Sequence, residues 1–185
     1  MLSERGSQTF SSVWGWRVEA SAVAFHLRFT DDGHVFDILS FLVKPSDDHD
    51  PEVLTLTPAI DDVPLTELIE HFERERGMEP VGGYGGLVPS FFCYGPLDRY
   101  FLGRSEGEFF KKKSEYYLLG CQCGEVGCWP LSARIRATED SVVWDRFAQE
   151  HRRERDYSAF GPFTFELPAY KKTIEEISSR FRDLG

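Results

Sequence analysis

The chain has 185 residues, which fits one domain spanning residues 1–185. At that size folding removes roughly 70% of the extended-chain surface from water with no obligatory disulfide or metal. Aromatics make up 15%, with 16 Phe and 4 Trp, which excludes a disordered chain. Lys and Arg total 21 against 31 Asp and Glu; the formal charge of −10 repels phosphate backbones, so no nucleic-acid binding is expected, and it suits a basic protein partner.

The opening Met1-Leu2-Ser3-Glu4-Arg5-Gly6 lacks the apolar centre of an export signal. The longest apolar stretch, 35–43, is interrupted by Asp37 and Ser40 and is too short to span a bilayer. A cytoplasmic chain without membrane association is expected, with its four cysteines present as thiols or metal ligands.

Residues 20–29 alternate, with Val23, Phe25, Leu27 and Phe29 on one face and Ala22, Ala24, His26 and Arg28 on the other, as in a half-buried strand. Asp31-Asp32-Gly33 is a turn signal, and 35–43, apolar on both faces, predicts the second arm of a hairpin. Residues 44–51 read as a polar loop, followed by a short strand over 53–56. Leu65, Leu68, Ile69 and Phe72 fall at helical spacing and Gly77 is placed to cap, predicting a helix over 65–76. The segment Gly82-Gly83-Tyr84-Gly85-Gly86 lacks the lysine and hydroxyl of a phosphate-binding loop and reads as a tightly turned surface loop. A three-strand meander is predicted over 116–123, 131–137 and 142–147, and a last strand over 163–165. Pro168 and the stripe Tyr170, Ile174, Ile177 and Phe181 predict a helix over 168–183. The fold class is therefore α+β, mainly antiparallel sheet.

The densest chemistry is Cys121-Gln122-Cys123-Gly124-Glu125-Val126-Gly127-Cys128. If residues 124–127 are a hairpin loop, Cys123 lies opposite Cys128, and Cys121, two positions back, shares their face. In that register Tyr116 and Leu118 adjoin Leu131, Ala133 and Ile135, while the cysteines lie beside Ser132 and Arg134, unless a bulge at Pro130 shifts the parity. Three thiolates and one further ligand make a tetrahedral zinc site, with Cys93 as fourth candidate and His151 behind it. Three roles stay open for these cysteines: a structural metal, plain packing as small hydrophobes, and redox or nucleophilic chemistry.

This spacing is similar to the post-SET zinc segment of protein-lysine methyltransferases, which a distant cysteine completes. The asparagine-histidine-serine-cysteine motif of their catalytic core is missing, so the likeness is local and implies no methyl transfer. More widely, the run from Cys121 through Cys128 into Trp129-Pro130-Leu131, with Trp144, Phe147, His151-Arg152 and Phe160-Gly161-Pro162-Phe163, resembles a family of uncharacterised bacterial proteins. That resemblance covers mainly residues 82–165 and implies a bacterial origin without an assigned activity.

Other constellations carry less. His26, His34, His49, His71 and His151 have no metal-pair spacing, and Asp61-Asp62 suits a turn or helix cap better than paired acid–base work. Basic runs at Lys111-Lys112-Lys113 and Arg152-Arg153-Glu154-Arg155 read as solvated loops or helix ends. Trp14, Trp16, Trp129 and Trp144 default to core packing. The leading functional expectation is a non-enzymatic protein-binding or accessory module, one version of which is an immunity-type protein that neutralises a basic partner. The alternative is a small zinc-stabilised protein or cysteine-dependent enzyme using Cys121, Cys123 and Cys128.

Overall fold

A computed structural model describes residues 28–29, 35–47, 50–91, 94–105 and 115–182. The strands are β1 (Arg28–Phe29), β2 (Val35–Phe36), β3 (Leu39–Asp47), β4 (Asp50–Ile60), β5 (Val63–Pro64), β6 (Tyr84–Gly85), β7 (Glu115–Cys121), β8 (Leu131–Ala137), β9 (Ser141–Gln149) and β10 (Phe163–Glu166). The helices are α1 (Leu65–Glu75), α2 (Leu97–Tyr100) and α3 (Leu167–Arg182). All strand pairs within the sheets are antiparallel: β1 with β2, β3-β4-β5, and a five-stranded sheet in the order β10-β9-β8-β7-β6. The fold is α+β.

Two single bridges join these sheets. Leu87, just past β6, exchanges both backbone hydrogen bonds with Leu56 of β4, at 2.7 and 2.9 Å. Asp37, between β2 and β3, runs parallel to β10: its N–H donates to Thr164 O and its carboxylate accepts the Thr164 N–H at 2.6 Å. The paired segments therefore follow one another from Asp37 and β3 through β4, β6, β7, β8 and β9 to β10, which returns to Asp37. Burial raises the Asp37 pKa above the usual carboxylate range, against the opposing pull of the Thr164 N–H.

The 53–56 strand is longer than expected. β3 and β4 both run into the predicted loop at 44–51, with Pro45 opposite Leu54 and Asp47 opposite Asp50, and a register shift between Pro45 and Asp47. Polarity there marks solvent exposure of a hairpin arm, and Lys44 and Pro45 are exposed. The apolar stretch 35–43 is conversely split by Asp37. Of the expected first strand, residues 20–27 lie outside the described residues; Arg28–Phe29 do pair with Val35–Phe36.

α1 ends as its sequence implies. The Met78 N–H reaches Glu73 O and the Gly77 N–H reaches Arg74 O, with Gly77 at φ +63°, which is the Schellman closure. Asp61 and Asp62, at φ +50° and +66°, form the tight β4–β5 turn, and Asp61 Oδ1 also accepts the Ile38 N–H. The core is strongly aromatic. Trp144 is fully buried with ring centroids 5.0 Å from Phe165, 6.2 Å from Tyr170 and 6.4 Å from Phe101, and its indole N–H donates to Tyr170 Oη. α3 lays Tyr170, Ile174, Ile177 and Phe181 onto this core. Among the described residues no helix is long and apolar enough to cross a membrane.

Candidate metal centre

β7 delivers Cys121 as its last residue, and residues 122–130 turn back into β8. Within that connection the Gly124 N–H donates to Cys121 O (2.9 Å), the Cys121 N–H to Glu125 O (3.2 Å) and the Cys128 N–H to Glu125 O (3.4 Å). Gly124 sits at φ +90°, where any other residue is strained. Val126 is buried beneath the loop, against the backbone of Gly120. The outcome is that the sulfurs of Cys121, Cys123 and Cys128 all lie within 4.8 Å of one another. Cys121 is partly buried, Cys123 and Cys128 are exposed, and none is in a disulfide.

The convergence agrees with expectation, but the route differs. Tyr116 pairs with Ala133 and Leu119 with Leu131, and the register shifts between Tyr117 and Leu119, so the bulge is at Leu118 and not at Pro130. Leu118 and Leu119 both bury as a result. β7 stops at Cys121, so Cys123 belongs to the turn and has no ladder partner opposite it. Ser132 and Arg134 are engaged by β9: Ser132 Oγ donates to Ala148 O, and Arg134 grips Asp145 with two hydrogen bonds at 2.6 and 2.7 Å. That grip, aided by Arg136, holds the Asp145 carboxyl down at about 2. Cys93 lies outside the described residues. His151 comes close but is committed elsewhere, its Nε2 donating to Gly127 O at 2.7 Å. That contact ties the loop to the segment after β9.

The thiols differ electrostatically. Burial pushes the Cys121 thiol up to about 11, and the neighbouring Cys123 and Cys128 add to that rise. The backbone N–H of Glu125 holds Cys123 below the usual thiol range, helped by Cys121. Three sulfur donors on one short loop suit a soft or borderline cation.

A second polar centre escaped the sequence reading. Glu73 of α1 is fully buried; its Oε1 accepts hydrogen bonds from Tyr84 Oη (2.8 Å), Tyr157 Oη (2.7 Å) and Arg155 (2.9 Å), and its Oε2 accepts the Gly82 N–H (2.8 Å). The Arg155 side chain is only 5% exposed and also donates to Pro80 O. The expectation of a solvated 152–155 run is thus corrected at Arg155, which a buried carboxylate draws inward. Arg152 instead lies over the Trp129 ring, 4.8 Å from its centroid. The signal for Glu73 was its spacing: four residues beyond Ile69, on the stripe that also holds Leu65.

The glycine-rich segment links the two centres; Tyr84–Gly85 within it form a strand and Gly82 and Gly86 are buried, so it is not a surface loop. β6 pairs Tyr84 with Cys121 and Gly85 with Gly120. A Cβ on Gly85 would stand 2.7 Å from Cys121 O, and one on Gly86 2.5 Å from Thr57 Oγ1, so only glycine lets this strand fit between β7 and β4. Gly83 O accepts the Gln122 N–H, and Gly82 O accepts the Trp129 indole N–H at 2.8 Å.

His71 makes only an exposed contact with Glu75, four residues on; His26, His34, His49, Trp14, Trp16 and Lys111-Lys112-Lys113 lie outside the described residues. No family model, curated protein or solved structure matches the chain.

Proposed function

We propose that this is a small zinc-binding protein whose ion is held by Cys121, Cys123 and Cys128 and stabilises the β7–β8 connection. The observation that supports this is the approach of the three sulfurs to within 4.8 Å on one loop. Zinc at about 2.3 Å from each sulfur in tetrahedral geometry needs sulfurs about 3.8 Å apart, a small further closure. Cys93 is the proposed fourth ligand. Chain purified without a polyhistidine tag or chelator should carry close to one equivalent of zinc by elemental analysis. Serine at Cys121, Cys123 or Cys128 should weaken zinc binding at least about tenfold, since each removes one thiolate. Cys93→Ser tests the fourth position. Metal-free chain that also fails to take up added zinc would overturn the reading.

A second reading, a non-enzymatic module for a basic protein partner in the cytoplasm, rests on the formal charge of −10. Such a field acts over about 8 Å at physiological ionic strength. A basic protein recovered from native lysate should associate at a rate that falls steeply with added salt, and duplex DNA or RNA should bind weakly. Tight, salt-sensitive nucleic-acid binding would contradict this second reading.

A further inference from the structure

We propose that Cys123 and Cys128 are a modification site, converted by hydroperoxides into a reversible disulfide that dismantles the three-sulfur set. The proposal shares its residues with the zinc reading but requires no bound metal. Three observations carry it. The sulfurs lie within 4.8 Å of one another, whereas a disulfide needs about 2.05 Å. Cys123 and Cys128 are both exposed, so an oxidant reaches either without unfolding. Both also lie in the connection past the end of β7, where Gly124 and Gly127 flank the residues that must move, whereas Cys121 is held in β7 by its pairing with Tyr84.

The chemistry balances in two steps. One exposed thiol attacks the O–O bond of the hydroperoxide; sulfur gains OH, and the other oxygen leaves as alkoxide or hydroxide and takes up the thiol proton. The neighbouring thiol then attacks the sulfenic sulfur, the S–S bond forms, and water departs with the second thiol's hydrogen. Two sulfurs give up two electrons and the peroxide oxygens receive them. A dithiol reductant reverses the bond by exchange. One donor sulfur of three remains free in the oxidised loop, too few to hold a zinc ion.

The test uses the full, metal-free, reduced chain treated with hydrogen peroxide, then alkylated and digested with trypsin. Cleavage after Lys113 and Arg134 releases residues 114–134 with all three cysteines, while Cys93 falls in residues 77–99. The expected product is peptide 114–134 lighter by two hydrogens and carrying one alkylated cysteine, restored to three by dithiothreitol. Cys121→Ser should still give the internal disulfide, now with no alkylated cysteine, and Cys123→Ser or Cys128→Ser should leave both remaining cysteines alkylated. Three alkylated cysteines after peroxide, a bridge to peptide 77–99 or to a second chain, or loss of the internal disulfide in Cys121→Ser would each overturn the assignment. Zinc titration of the reduced chain reports on the metal separately, so either reading can fail alone.

Discussion

Glu73→Ala should destabilise the protein by about 3–5 kcal/mol, because it strands Arg155 as an uncompensated charge in a site closed to water. The same change leaves the Tyr84 and Tyr157 hydroxyls and the Gly82 N–H without their shared acceptor. Urea unfolding at neutral pH measures the loss. Replacing both charges, as Glu73→Leu with Arg155→Met, should recover much of it, since the cost belongs to the orphaned partner and not to the pair as such. A single-variant change under about 1 kcal/mol would show that the surrounding segments relax enough to admit water.

Ile174→Ala should cost about 2–5 kcal/mol through lost burial and the cavity left behind. Ile174 is 1% exposed and sits mid-helix on the stripe that α3 presents to the core. The change leaves helix propensity intact or slightly improved, so any loss reports on packing alone. A shift worth under about 0.5 kcal/mol would place this stripe at the surface.

The two long helices were legible because each writes its buried face in one chemical alphabet, with Leu65 and Ile69 in α1, and Ile174 and Ile177 in α3. The meander was legible for a related reason, since turn residues interrupt its β-forming runs. The convergence of the cysteines was legible in outcome and wrong in mechanism. It was inferred from a ladder that would carry Cys123, yet β7 bulges at Leu118, where two adjacent leucines are both buried, and ends at Cys121. Glu73 failed differently: a carboxylate in a glutamate-rich helix looks solvated, and its partners Arg155 and Tyr157 are more than eighty residues away. The glycine-rich segment was misread because the same missing side chains that free a loop also admit a strand between two others.

That strand has a thermodynamic consequence. Gly82, Gly83 and Tyr84 hold the carboxylate of α1 on one side and the backbone of the sulfur loop on the other. On the zinc reading, any free energy of firming the loop that reaches the Glu73 cluster through this segment would be exchanged equally in both directions. On that reading Glu73, without touching the ion, would contribute to its affinity through three consecutive peptide units.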